Sequence, residues 1–86
     1  MKFEFTEYKD LATGATIDCN LTIETNDEAY PGTGSFRGMS IGPRWEMNTE
    51  VDGQIYYILW LQDEGEELID ADLVDWEHPN ILIKGC

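Results

Sequence analysis

The sequence predicts a mainly β fold: a small single domain over residues 1–86, with four to six mostly antiparallel strands and at most one short helix. Apolar and polar residues alternate in several stretches, and turn sequences separate them. Hydrophobic residues make up 42% of the chain, which is enough for a modest core. Three Trp, four Tyr and three Phe argue against intrinsic disorder despite the high charge. We expect the strands to form a barrel-like sheet or a sandwich.

The first two strands are predicted to form a hairpin. Phe3 and Phe5 alternate with polar neighbours, and a turn sequence follows at residues 10–14. Residues 15–24 then give five consecutive apolar–polar pairs, the clearest strand pattern in the chain.

Residues 26–44 contain four glycines and two prolines, which predicts a long loop. Such a loop is unusual in a compact domain, so a strand over residues 35–41 is the alternative. The glycines lack the spacing of a phosphate-binding loop, and Arg37 and Arg44 are expected to pair with nearby acids.

A second hairpin is predicted around Asp52 and Gly53, a favoured two-residue turn. Such a turn places three pairs opposite each other: Val51 and Gln54, Met47 and Ile58, and Trp45 and Trp60. The return strand over residues 54–62 is apolar on both faces, which is typical of a central strand. One of these faces also carries Arg44, Glu46, Asn48 and Glu50, so either it is only partly covered or a bulge shifts the register.

The tail after residue 62 has two interpretations. Residues 69–73 alternate as a short strand, which we favour, whereas residues 66–77 could form a helix with Ile69, Leu73 and Trp76 on one side. A turn at residues 78–80 precedes a final buried strand over residues 81–83.

Charge is the main functional signal. Eighteen acids face five Lys and Arg, for a formal net charge of −13, and eleven of these acids lie between residues 45 and 83 without one Lys or Arg. This excess disfavours direct nucleic-acid binding, which needs cations to neutralise phosphates. With no long apolar stretch or signal sequence, we expect a cytoplasmic protein without membrane contacts.

No motif predicts catalysis, a cofactor or a metal. Residues 48–53 resemble the start of a calcium-binding EF-hand loop, but Leu59 occupies the position of its last ligand. His78 is the only imidazole, and no nucleophile stands in a catalytic context. We therefore expect a protein that is not an enzyme; a small-molecule or calcium site in the glycine-rich loop is a less favoured interpretation.

The concentrated acids instead predict a basic, nucleic-acid-binding protein as the partner. We call residues 63–77 the acidic run, and its eight acids could reach phosphate-like spacing, helped by Asp18, Glu24, Glu46 and Glu50 on neighbouring strands. The predicted partner-binding residues are Asp63, Glu64, Glu66, Glu67, Asp70, Asp72, Asp75 and Glu77, with Trp76 as the apolar anchor. The alternative for Trp76 is a core position, and the alternative for the acids is a coat that keeps the protein soluble.

In size and charge the chain resembles a class of small phage-encoded antagonists of host nucleases, the anti-restriction and anti-CRISPR proteins. This resemblance of class implies inhibition by nucleic-acid mimicry. The alternative function is an interaction or assembly module that docks, or forms a homodimer, through the apolar strand at residues 55–61.

Overall fold

A computed structural model describes residues 2–36, 39–40, 42–62 and 68–85. Within these ranges the chain forms eight strands and one 3-10 helix: β1 (Lys2–Asp10), β2 (Thr16–Glu24), β3 (Tyr30–Gly32), β4 (Ser35–Phe36), β5 (Met39–Ser40), β6 (Arg44–Val51), β7 (Gln54–Leu61), the 3-10 helix Ala71–Leu73, and β8 (Ile81–Lys84).

Six of the strands form one open sheet in the order β2-β1-β8-β7-β6-β3, with β2 and β3 at its edges. All neighbours are antiparallel except β1 and β8, which run parallel. The predicted mainly β, mostly antiparallel class is therefore confirmed, and the sheet stays open rather than closing into a barrel. A separate hairpin of β4 and β5 forms in the region where one strand over residues 35–41 was the alternative.

The first hairpin forms as predicted, with one irregularity. Its register shifts between Phe5 and Glu7, where β2 contributes an extra residue. Beyond this irregularity, Tyr8 packs against the same core as Phe3 and Phe5.

The second hairpin has the predicted register at all three pairs: Val51 with Gln54, Met47 with Ile58, and Trp45 with Trp60. Asp52 and Gly53 have φ angles of 51° and 81°, the positive values that a type I′ turn requires at both central positions. This turn matches the twist of the strands, so the pairing continues from Arg44 and Leu61 to the turn without a bulge.

Each side of the sheet carries its own core. The Trp60 face is built from Phe3, Ile23, Met47, Ile58, Trp60 and Leu82, and the Leu59 face from Phe36, Tyr57, Leu59 and Ile83. On the Leu59 face the exposure of β7 rises from 0% at Leu59 to 41% at Ile55. Of the two sequence interpretations, the partly covered face is therefore correct.

The predicted final strand, β8, lies in the middle of the sheet. It pairs with β7 over four residues, but with β1 only at Lys9 opposite Ile83 and Asp10 opposite Lys84. Further along, β1 and β8 diverge and leave a cleft of about 410 Å³. This strand joins the two hairpins into a small compact single domain.

Candidate partner-binding surface

Three tryptophan side chains attach residues 68–80 to the Trp60 face, and we call these residues the Trp-anchored segment. Their indole N–H groups all donate to backbone carbonyls of this segment: Trp45 Nε1 to Ile69 O at 3.0 Å, Trp60 Nε1 to Trp76 O at 3.3 Å, and Trp76 Nε1 to Ala71 O at 3.0 Å. Two indoles come from the sheet and the third from the segment itself. The sheet therefore determines the path of a chain that has little regular structure of its own.

The same three rings also pack against one another. The Trp76 ring lies 5.7 Å from Trp45 at 78° and 5.0 Å from Trp60 at 75°, measured between ring centroids and ring planes. These are edge-to-face contacts, which place the positive edge of one ring against the negative face of the next. Trp76 thus closes over the Trp60 face, together with Val74.

Polar side chains hold both ends of the segment. Gln62 Oε1 accepts a hydrogen bond from the Ile69 N–H at 2.8 Å. At the other end, the Asn80 N–H donates to Leu59 O at 2.8 Å, and Asn80 Oδ1 accepts from the Leu61 N–H at 2.9 Å. The segment leaves and rejoins the sheet at positions defined by hydrogen bonds.

The favoured strand over residues 69–73 is wrong. The structure instead has the 3-10 helix at Ala71–Leu73, in which the Leu73 N–H donates to Asp70 O at 2.9 Å. The carbonyls of Ile69 and Ala71 accept hydrogen bonds from the Trp45 and Trp76 indoles, and no described strand pairs with these residues. The alternative helix over residues 66–77 does not form in its described part either, and residues 66–67 lie outside the described residues.

The structure describes five of the nine predicted partner-binding residues. Four are exposed carboxylates on the Trp-anchored segment: Asp70, Asp72, Asp75 and Glu77. The other acids, Asp63, Glu64, Glu66 and Glu67, lie outside the described residues. Among the described residues none of these four carboxylates forms an ion pair with Lys or Arg, and the Asp75 carboxylate contacts the exposed His78 ring, with Oδ2 at 2.8 Å from Nδ1.

Trp76, the fifth predicted residue, is partly buried in the aromatic cluster, which was its alternative interpretation. The prominent exposed apolar side chain is Leu73, at 72% exposure, and Ile69 follows at 38%. Side chains of a 3-10 helix project about 120° apart, so with Ala71 against Trp76 the side chains of Asp72 and Leu73 point elsewhere. The sequence contained no signal for Leu73 because a regular helix would have placed it beside Trp76.

The strand acids do not extend this acidic surface. Glu24 and Glu50 are exposed but alternate with residues of the Trp60 face, so they lie on the opposite side of the sheet. Glu46 is buried at 8% exposure. The expectation that neighbouring strand acids raise the charge density of the acidic run is therefore wrong for these three residues.

A second group of acids lies beside the segment and was missed by sequence reasoning. Asp27 and Glu28, in the connection between β2 and β3, border an open groove of about 300 Å³ whose walls include Trp45, Met47 and Trp76. Both acids are exposed. The sequence places them about fifty residues before Trp76, so only the fold brings them together.

On the Leu59 face, Arg44 is satisfied internally, as predicted. Its Nε donates to Glu46 Oε2 at 2.8 Å, and its Nη1 donates to the carbonyls of Gly34 and Gly42, both at 3.1 Å. A Cβ on Gly32 would lie 3.2 Å from this guanidinium, so the glycine-rich loop closes tightly around Arg44. Arg37 lies outside the described residues.

Tyr30 lies near this ion pair, at the edge strand β3. Burial raises the pKa of the Tyr30 phenol, and the Glu46 carboxylate raises it further, because a negative neighbour disfavours the phenolate. A side-chain hydrogen bond with Asn48 and the charge of Arg44 act in the opposite direction.

Within the described residues, no group of three or more His, Cys, Asp or Glu side chains could hold a metal ion. The described part of the chain also contains no helix with the length and apolar character needed to cross a membrane. Comparison with family models, curated proteins and solved structures finds no match to this chain.

Proposed function

We propose that this protein is a non-enzymatic, cytoplasmic binding protein that inhibits a basic, nucleic-acid-binding partner by occupying its phosphate-binding surface. The observation that supports the proposal is the Trp-anchored segment, which presents Asp70, Asp72, Asp75 and Glu77 to solvent without a Lys or Arg partner among the described residues. An ordered backbone whose carboxylates are free of Lys and Arg partners is what a mimic of a phosphate chain requires.

The distribution of the bases favours the same function. Of the described bases, Arg44 is buried, Lys9 and Lys84 are partly buried, and only the exposed Lys2 lies at the segment, where it lines a pocket with Glu77. Lys84 Nζ lies 5.7 Å from the centre of the Tyr8 ring, away from the segment. The field around the segment is thus strongly negative, and such a field steers a basic partner to it and accelerates association.

Leu73 supplies the apolar contact that charge alone does not provide. It is 72% exposed, and the exposed carboxylates Asp70, Asp72 and Asp75 flank it along the chain. Protein interfaces combine an apolar centre with a polar rim, and Leu73 among these carboxylates fits that arrangement. Leu73 therefore takes the anchoring role that the sequence assigned to Trp76.

The alternative function, docking or dimer formation through residues 55–61, has less support. Residues Tyr57, Ile58, Leu59 and Trp60 are at most 8% exposed, and β7 lies between β6 and β8 in the sheet. Only Ile55 at the end of this strand is exposed by more than a third. The apolar run is used to build both cores.

The test begins with a pull-down on the immobilised protein at low and high salt, followed by purification of the captured partner. Labelled duplex DNA bound to that partner should be displaced by the protein, as measured by fluorescence anisotropy. A complex that contains partner, DNA and protein together would contradict the proposal.

Charge reversal then locates the surface. The triple variant Asp70→Lys, Asp72→Lys and Asp75→Lys should lose about 1–6 kcal/mol of binding energy. Each exposed pair is worth ~0.2–1 kcal/mol, and a charge reversal replaces each attraction by a repulsion of similar size, which doubles the effect. This loss is at least a roughly fivefold rise in Kd. The matched control reverses Asp18, Glu24 and Glu50, which are exposed on the strands. Equal weakening by both triple variants would mean that net charge, rather than the segment, drives binding.

A further inference from the structure

We propose that the groove beside Trp76 is a socket for one arginine side chain from the partner's nucleic-acid-binding surface. This inference rests on the proposed function and specifies the contact that the partner makes. We call the groove between Asp27, Glu28, Trp45, Met47 and Trp76 the Arg socket.

The walls of the Arg socket suit the stem and the planar head of arginine. Trp45 and Trp76 meet at 78°, so their rings form an aromatic corner, and Met47 of β6, which is 2% exposed, lies behind them at the groove. Arginine packs its methylene stem on apolar groups and stacks its weakly hydrated guanidinium on aromatic rings. At about 300 Å³, the groove is at the lower limit for a small-molecule site, a size that suits a single side chain.

The rim supplies the charge that such a ligand needs. Asp27 and Glu28 are exposed at the groove, and no Lys or Arg is among the described residues that line it. The Thr25 hydroxyl donates to Asp27 Oδ2 at 2.9 Å, and the Asp27 N–H donates back to Thr25 Oγ1 at 3.0 Å. The Asp27 carboxylate is therefore held in place before a ligand arrives, which lowers the ordering cost of binding.

The protein already binds one guanidinium with the same combination of groups. On the opposite face, Arg44 lies 5.2 Å from the centre of the Phe36 ring while its Nε pairs with Glu46 at 2.8 Å. An aromatic ring and a carboxylate thus satisfy an internal arginine. The Arg socket offers two aromatic rings and two carboxylates, with the cation still to be supplied.

The experiment uses N-acetyl-arginine amide as the probe and N-acetyl-citrulline amide as its neutral isostere. The indole N–H signals of Trp45 and Trp76 are followed by NMR during titration into the intact protein. The arginine probe should shift both signals in a saturable way, with a dissociation constant roughly in the millimolar range. The citrulline probe should produce no saturable shift.

Paired variants test the rim. Asp27→Asn with Glu28→Gln should weaken the arginine probe about two- to thirtyfold, since two exposed pairs of ~0.2–1 kcal/mol each are lost while the Thr25 hydroxyl keeps an acceptor. The control, Glu50→Gln with Asp52→Asn, removes the same charge at the turn between β6 and β7 and should change binding less than twofold. Equal weakening in the two pairs, or equal binding of citrulline, overturns the socket. Equal binding of N-acetyl-lysine amide overturns the assignment to arginine.

These outcomes are separate from those of the proposed function because the probe titration needs no partner. If the probe binds while DNA is not displaced from the captured partner, the mimicry proposal fails and the socket stands. If DNA is displaced while the probe does not bind, the socket fails and mimicry stands.

Discussion

Trp76 should control the geometry of the acidic surface without contributing any of its charge. The substitution Trp76→Ala removes two edge-to-face contacts, worth ~0.5–1.5 kcal/mol each, and one indole hydrogen bond, worth ~0.5–1.5 kcal/mol. We therefore expect a loss of about 1.5–4.5 kcal/mol in the free energy of unfolding. This lies below or near the ~3–5 kcal/mol typical of fully buried tryptophans, as expected for a partly buried ring.

The assay is equilibrium unfolding in urea, followed by far-UV circular dichroism because the substitution alters tryptophan fluorescence. Leu73→Ala is the matched control on the same segment. At 72% exposure, its side chain should contribute within about 0.5 kcal/mol. A loss below about 0.5 kcal/mol for Trp76→Ala, or one equal to that of the control, would refute the anchoring role.

Two further measurements connect this loss to function. Hydrogen exchange of the Leu73 N–H, which donates to Asp70 O at 2.9 Å, should become faster in Trp76→Ala because the segment loses its attachment. The net charge stays at −13, so weaker binding to the partner would come from the arrangement of the carboxylates or from loss of the Trp76 wall of the Arg socket, and the N-acetyl-arginine amide titration separates the two. Unchanged affinity together with faster exchange would show that the partner needs only the charge.

The remaining predictions concern the Leu59 face. Arg44→Met should cost about 3–5 kcal/mol in urea unfolding, since it leaves Glu46 buried without its partner. Adding Glu46→Leu should restore most of the lost free energy of unfolding. If the double variant is no more stable than Arg44→Met, the unpaired Glu46 is not the cause of the loss. The raised pKa of Tyr30 means that the phenol stabilises the fold below its ordinary pKa of 10.0, an effect lost as pH rises through the higher folded value. A difference absorbance titration of the protein against Tyr30→Phe should therefore give Tyr30 a higher ionisation midpoint than free tyrosine. A midpoint equal to or below that of free tyrosine would contradict this prediction.

Local signals were sufficient for the hairpins. The register of β6 and β7 follows from Asp52 and Gly53, because a two-residue turn with both φ angles positive permits one alignment of the strands. The alternation in residues 15–24 likewise predicted β2, because in this strand the apolar side chains lie on the more buried side and the polar side chains between them are exposed.

Nonlocal contacts determined what the sequence could not predict. The strand pattern at residues 69–73 is overridden by the Trp45 indole, which reaches the Ile69 carbonyl across 24 positions of sequence. The polar side chains on the Leu59 face are explained by Arg44 and Glu46, which satisfy each other inside the core. The open arrangement of the sheet depends on β8, whose four residues do not indicate which strands they join.

The central position of β8 also affects the order of folding. The two hairpins use contacts close in sequence and can form early, whereas the pairing of β1 with β8 joins residues more than 70 positions apart. Since β8 is the last of the eight strands to leave the ribosome, the sheet cannot be completed during synthesis of the earlier ones. The carboxylates of residues 70–77 are already present on the nascent chain at that stage. The groups that hold their backbone in place, the Trp45 and Trp60 indoles and the Gln62 amide, belong to β6, β7 and the residue after β7. The acidic surface therefore depends on the second hairpin, and it can be ordered before β8 completes the sheet.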